Sequence, residues 1–199
     1  FTPKGFKLNI NETLIKKSFT DTDGNTVYYI IWADDDGTEH YFMPTGSENE
    51  DGEIEYKDED GLMLTLLEST ASCTITDMND TVRTFVSRGV PSSDVISAWQ
   101  LTSISDNTGN EVVFGFDSLN RPITVSLVPY LRSAIVQLRI SYNSAGVPYA
   151  VWNPASGEGV VFRYSDTYAG SIGTAYGSYL RRIIRAHGVT TESAWLAFY

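Results

Sequence analysis

The chain is short of the residues that most chemistry needs. It has one cysteine, Cys73, in 199 residues, which excludes an internal disulfide framework. Cys73 lies in the strand-like run Ser72-Cys73-Thr74-Ile75-Thr76 with no His or basic group near it in sequence, so it reads as a buried structural thiol rather than a nucleophile. Histidine is nearly as scarce. His40 and His187 are the only two, and nothing local arranges them with Cys or acids into a transition-metal site. His40 alternates with Thr38 and Phe42 on one strand face, which suits a structural or exposed role. There is no Gly-x-Ser-x-Gly elbow and no phosphate-binding glycine-rich motif. No apolar run approaches ~18 residues, so a transmembrane helix is not expected. No signal-peptide pattern opens the chain. It begins at Phe1 and ends on Trp195-Leu196-Ala197-Phe198-Tyr199, which reads as a strand cut in mid-pattern. The chain is therefore expected to be a fragment whose missing targeting signals say nothing about location.

Positive charge is the next scarcity. Residues 1–90 hold 18 Asp and Glu against 7 Lys and Arg, residues 91–199 hold 7 of each, and no Lys follows Lys57. The acidic half should repel nucleic acids and anionic membranes, so neither is expected as a partner. A solvated acidic face is the plainest reading of it. What is abundant is apolar and aromatic material: 42% hydrophobic and 13% aromatic residues, ample for a packed core and against disorder.

The dominant pattern is strand, tight turn, strand. Val27–Trp32, Asp34-Asp35-Asp36-Gly37 and Thr38–Met43 form one hairpin. Ser47–Glu55 reads as an exposed acidic loop. Tyr56–Gly61 turns into an apolar strand over Leu62–Leu67. Thr74–Thr76, Asp77–Asp80 and Val82–Val86 form another hairpin. Ser87–Asp94 is rich in Gly, Pro and Ser and marks the best boundary, dividing the chain into 1–90 and 91–199. Ala134–Tyr142 alternates with period two, Val136, Leu138, Ile140 and Tyr142 on one face and Gln137, Arg139 and Ser141 on the other, as in a half-buried strand. Val147–Trp152 and Val160–Tyr164 follow. Between Tyr176 and Ile184 the spacing also suits a short helix, near 176–186, capped by Ser178 and Gly188. The rival is a strand to Arg185, a turn, and a strand through Phe198.

Leu101–Val125 carries a family signal. Its core, Phe116-Asp117-Ser118-Leu119-Asn120-Arg121-Pro122, resembles the Tyr/Phe-Asp-x-x-Gly-Arg-Leu unit of the RHS/YD-repeat family, with Asn in place of the turn glycine and Pro in place of Leu. Asn is suited to that turn because it also enters left-handed backbone space. Tyr142-Asn143-Ser144-Ala145-Gly146-Val147-Pro148 resembles a second, weaker copy. The aromatic anchors Phe116, Tyr142 and Tyr164 lie 26 and 22 residues apart, a period that fits tandem hairpin units. The repeat-motif residues are thus Phe116, Asp117, Asn120, Arg121, Tyr142, Gly146 and Tyr164. The likeness extends over 99–166. Residues 1–90 share only short motifs with the region that precedes the repeats in some bacterial members.

The resemblance implies an all-β chain of tandem antiparallel hairpins in an extended twisted or coiled sheet, and it favours the strand reading at the tail. It implies 1–90 as an acidic hairpin region preceding the repeats and 91–199 as degenerate repeat units. In function it implies a non-catalytic structural segment of a secreted or cell-wall-associated bacterial protein whose hairpins build a β-sheet shell. The partners implied are the remainder of the parent protein, an encapsulated C-terminal domain or a surface glycan, and self-association through exposed strand edges. No cofactor and no catalytic residue are implied. The alternative is a surface carbohydrate- or ligand-binding module, for which Trp32, Trp99, Trp152 and Trp195 are the candidate face, although aromatic strands usually serve the core.

The residues themselves invite two chemistries. Three acidic turns invite calcium, and Asp21, Asp23 and Asn25 make the best set. Counting twelve positions from Asp21 reaches Trp32 rather than the required Glu, so the EF-hand pattern fails. Glycoside hydrolysis needs two carboxylates at a fixed separation. With 25 acids, mostly in turns, no pair stands out.

Overall fold

The computed structural model describes residues 12–90, 92–143, 146–165 and 179–188. They contain fourteen strands and no helix: β1 (Thr13–Thr20), β2 (Thr26–Ala33), β3 (Glu39–Glu48), β4 (Ile54–Asp58), β5 (Thr65–Glu68), β6 (Ser72–Thr76), β7 (Val82–Arg88), β8 (Ser97–Ser105), β9 (Glu111–Phe116), β10 (Pro122–Val128), β11 (Ile135–Tyr142), β12 (Pro148–Trp152), β13 (Gly159–Ser165) and β14 (Tyr179–Ala186). Hydrogen-bonding order follows sequence order, with one additional pairing, β1 with β8. The chain divides into two compact units, Leu8–Val113 and the part from Phe114 onward.

That additional pairing corrects the expected extended sheet. Thr13–Lys16 pair antiparallel with Gln100–Ser97, so β1–β8 close into an eight-stranded barrel. Closure removes the edge strands that an open sheet would leave exposed. The cause is visible in the register. Leu14, Trp32 and His40 follow one another across β1, β2 and β3, as do Lys16, Ile30 and Phe42. These positions share the inward face, since side chains alternate along a strand. Leu14, Ile30, Phe42, Leu66, Ile75, Phe85 and Leu101 are all fully buried, with Tyr56 and Cys73 at 1% exposure. Eight strands enclose a bore just wide enough for side chains to fill, and these residues fill it. β8 serves both closure and exit. Ser97–Gln100 bond β1, while Ser103–Ser105 bond Val113–Glu111 of β9.

In the second unit the core gathers Tyr149, Ala150, Trp152, Val161 and Ala186. Gly159 lies opposite Trp152, where a Cβ would come within 2.5 Å of the Trp152 Cβ, so only glycine lets β12 and β13 close. Residues 179–186 form strand β14 on β13, Val161 opposite Ile184. This overturns the helix alternative there, because Ile184 packs on the buried cluster as a strand residue. Residues 176–178 and 189–199 lie outside the described residues, and with them Trp195 and the expected final strand. The expected half-buried alternation of β11 also fails. Ile140 and Ser141 are both buried, at 5% and 4%, while Leu138 is exposed. Two register shifts interrupt the alternation, one at Val125/Ser126 of β10 that leaves Gln137 without an opposite residue and one between Ser141 and Tyr142.

Candidate functional site

One turn recurs along the chain, and it is the structural form of the Asp-x-x-Gly pattern. Asp106 donates its backbone N–H to Asn110 O at 3.0 Å, and Gly109 donates to Asp106 O at 3.2 Å. Asp106 Oδ1 accepts the N–H groups of Thr108 and Asn110, both at 2.9 Å. The same backbone pair closes the turns at Asp21, Asp34, Asn49, Asp77, Asp117 and Asn143. The fourth residue is left-handed, with φ +85° at Gly109 and +57° at Asn120. This is a type I turn followed by a bulge residue, whose right-handed twist suits a hairpin. Each leading carboxylate accepts several N–H groups, which favours its charged form. Asp106 is held far below the usual range by Asn110 and Thr108, and Asp21 below it by the Asn25 amide groups.

The calcium candidates therefore already have partners. Asp21 Oδ1 accepts from Asp23 N at 3.0 Å and Asn25 N at 2.7 Å, and Oδ2 accepts from Asn25 Nδ2 at 3.2 Å. Among the described residues no group of three or more His, Cys, Asp or Glu is placed to hold a metal ion.

In the second unit the structure brings most of the repeat-motif residues together. Asp117 accepts from Arg121 Nε at 2.8 Å and lies 2.6 Å from its Nη2. The Arg121 guanidinium in turn lies 4.5 Å from the Tyr142 ring centre. Tyr142 donates its hydroxyl to Pro122 O at 2.7 Å, and Tyr164 donates to Pro148 O at 2.6 Å. The two tyrosine anchors thus each reach back to a proline that directly follows an Asp or Asn turn. Burial pushes the Tyr142 phenol up to about 12, with Arg121 opposing and Asp117 reinforcing. Phe116 lies at the end of β9 and Gly146 completes the Asn143 turn at 2.9 Å.

The barrel unit holds two polar clusters on its inward face, on either side of the layer that contains Leu14. On one side Glu12 is 5% exposed. It accepts from Trp32 Nε1 at 2.9 Å and lies 3.6 Å from Arg83 Nε, an ion contact too long for a hydrogen bond. Burial raises its carboxyl above the ordinary range, against Arg83 and Trp32, which lower it. The Arg83 guanidinium lies 5.4 Å from the Trp32 ring centre, and the His40 ring 5.0 Å from it. His40 is held at both nitrogens: Nε2 lies 3.1 Å from Asp34 Oδ2 and Nδ1 3.1 Å from Asp60 Oδ2. Burial opposes its charged form, but the hydrogen bonds and charges of Asp34 and Asp60 outweigh burial and raise its pKa. A general base needs one nitrogen able to accept a proton from substrate. With a carboxylate on each nitrogen, this imidazole is arranged as a double donor that ties two loops together.

On the other side of the layer Lys16 Nζ contacts Glu68 Oε2 at 2.6 Å, and Tyr56 donates its hydroxyl to the same oxygen at 2.6 Å. Burial first, then Glu68, drives the Tyr56 phenol far above its usual range. Cys73 is inaccessible in the same interior, its thiol pushed up by burial and by the Glu68 charge. Sequence reading missed Glu12, Lys16, Glu68 and Arg83. Lys16 and Glu68 lie 52 residues apart, and no local pattern links them.

Trp32, Trp99 and Trp152 are 6%, 3% and 2% exposed, so none of the three presents a surface face. His187 lies at the exposed end of the second unit, 3.4 Å from Glu158. Compared with known protein families and with curated proteins, the chain matches none.

Proposed function

We propose that the chain is a non-catalytic structural segment of a secreted or cell-surface protein of the YD-repeat type, contributing hairpin units to a larger β-sheet. The observation that carries this reading is the doubled brace, Tyr142 to Pro122 and Tyr164 to Pro148, each following an Asp or Asn turn of the same construction. Such a unit is a structural device. It fixes hairpin length and register, which a scaffold requires. The closed barrel gives the first unit a core of its own. The two interior clusters of the barrel support the same role, because Glu12, His40, Lys16, Tyr56 and Glu68 are each bonded to another protein group.

A screen of the purified protein against chromogenic glycosides, esters and peptides, together with antibody labelling of intact source cells, tests this reading. Surface labelling without turnover is expected. Reproducible turnover abolished by one carboxylate substitution, or labelling only after lysis, would overturn it.

A second reading, a carbohydrate-binding face, rests on one observation. Phe19, Tyr29 and Tyr41 form an aromatic row across β1, β2 and β3, with ring centres 5.9 and 6.3 Å apart. Phe19 and Tyr41 are 46% and 41% exposed. Saccharide titration followed by intrinsic fluorescence, repeated on Tyr41→Ala, distinguishes the two readings.

A further inference from the structure

Asn79 is singled out twice, once by its sequence and once by its geometry. An asparagine followed two positions later by Ser or Thr, with no Pro between, is the acceptor triplet for N-linked oligosaccharide. The chain contains two such triplets, Asn11-Glu12-Thr13 and Asn79-Asp80-Thr81. Bacterial transferases also require an Asp or Glu two positions before the asparagine. Asp77 meets that requirement, whereas Asn9 stands at the corresponding place before Asn11.

The structure separates the two triplets in the same way. Asn11 lies outside the described residues, but the two residues after it are built into the barrel. Glu12 is 5% exposed and accepts from Trp32 Nε1 and, through its carbonyl, from the Leu101 N–H. Thr13 pairs with Ala33 on one side and Gln100 on the other. An enzyme cannot take up that segment while the barrel is closed. Asn79 instead occupies the tip of the β6–β7 turn, where Met78, Asn79 and Asp80 are all exposed. Its backbone N–H donates to Asp77 Oδ1 at 2.8 Å, and its carboxamide has no hydrogen-bond partner among the described residues. Asparagines in other turns are tied down at that nitrogen. Asn25 Nδ2 donates to Asp21, Asn49 Nδ2 to Glu53 and Asn110 Nδ2 to Asp106. Asp77 Oδ1 also accepts the Thr81 N–H at 3.0 Å, so docking the triplet in an enzyme opens this turn. Exposed turn bonds of this kind are among the first in a fold to open.

We propose that Asn79 is an N-glycosylation site whose donor is a polyprenyl-diphosphate-linked oligosaccharide. The proposal rests on the secreted or cell-surface reading, because such donors meet a protein on the export side of a membrane. In the transfer a bond forms between Asn79 Nδ2 and the anomeric carbon of the sugar. The bond from that carbon to the diphosphate oxygen breaks, and the polyprenyl diphosphate leaves with the electron pair. One Nδ2 proton passes to a base of the transferase, and nothing is oxidised or reduced. The glycan shields an exposed hairpin tip, the kind of site at which proteases nick a fold.

The test incubates the purified, folded protein with a purified bacterial single-subunit oligosaccharyltransferase and a polyprenyl-diphosphate-linked oligosaccharide, and reads the product by intact-mass spectrometry. A gain of one glycan per chain is expected, mapped to the peptide that contains Asn79. Asn79→Gln and Thr81→Val are expected to take none, and Thr81→Ser to retain transfer. Circular dichroism verifies that the variants keep the fold. No mass gain, or a gain that survives Asn79→Gln, would overturn the proposal. A second arm recovers the protein by surface labelling of intact source cells and sequences the same peptide. A glycan on Asn79 is expected there. Surface-labelled protein with Asn79 unmodified overturns this proposal and leaves the scaffold reading standing. Protein that labels only after lysis overturns the scaffold reading, and the transferase assay then decides the site by itself.

Discussion

The hydroxyl of Tyr142 donates to the carbonyl oxygen of Pro122 at 2.7 Å, twenty residues earlier in the chain. Pro122 opens β10, directly after the turn that Asp117 holds, and the ring of Tyr142 supports the guanidinium of Arg121. One side chain thereby joins the turn of one hairpin to the strand that ends the next. Tyr164 and Pro148 repeat the hydroxyl half of the arrangement.

Removing that hydroxyl tests its contribution. Tyr142→Phe leaves a buried carbonyl without its donor and is expected to cost about 1 kcal/mol. Tyr164→Phe should cost a similar amount. Arg121→Lys should also destabilise, since an ammonium cannot both fork onto Asp117 and stack flat on the ring. Urea unfolding of the three variants measures this. Unchanged midpoints would show that the braces are incidental.

The His40 clasp gives a pH dependence of known sign. Its folded pKa is raised, so its stabilising contribution is fully present below the unfolded value near ~6.5. That contribution is lost as pH rises through the folded pKa. The melting-temperature gap between wild type and His40→Gln should therefore be widest at mildly acidic pH and shrink toward alkaline pH. Asp60→Asn should lower the His40 pKa seen by NMR titration. A gap that widens with pH would contradict the clasp.

Within the barrel, Lys16 and Glu68 have side chains only 14% and 11% exposed. Lys16→Met strands the Glu68 charge in the interior and should cost about 3–5 kcal/mol. Adding Glu68→Gln to that variant should restore part of the loss. Denaturant titration of the single and double variants decides it. Equal stability of the two would mean that Glu68 reaches water without its partner.

The turn carboxylates are already spent on backbone N–H groups, so millimolar calcium should not shift the melting temperature. Their lowered pKa values, Asp106 and Asp77 among them, give stability present above the unfolded carboxylate range and lost as pH falls through the folded values. Asp106→Ala should raise the midpoint pH of acid unfolding. A calcium-induced rise that Asp21→Ala abolishes would show that the turn oxygens serve a metal instead.

The hairpins were legible in the sequence because their determinants are local. Asp106 and Gly109, or Asp117 and Asn120, lie within one turn, and their residue types follow from the conformations required there. Barrel closure was not legible, because Thr13 meets Gln100 across most of the first unit. β1 also hides itself: Lys16 occupies an inward position and breaks the apolar alternation, since its partner is Glu68 rather than solvent. The sequence places Leu62 and Met63 in a strand, yet they lie in a turn and β5 begins at Thr65. Asp58 accepts the Leu62 N–H and prolongs the turn past Gly61. Half of the His40 site was within reach, Asp34 being six residues away. Asp60 is twenty residues away and is brought near only by β3–β4 pairing.

The scaffold reading is tested most directly by sequencing the complete reading frame that encodes this chain. The account predicts further units with an Asp or Asn turn and an aromatic anchor about 20–26 residues apart, a spacing in the range of repeat architectures. A frame with no further unit, in which these residues stand beside an unrelated catalytic domain, would contradict it.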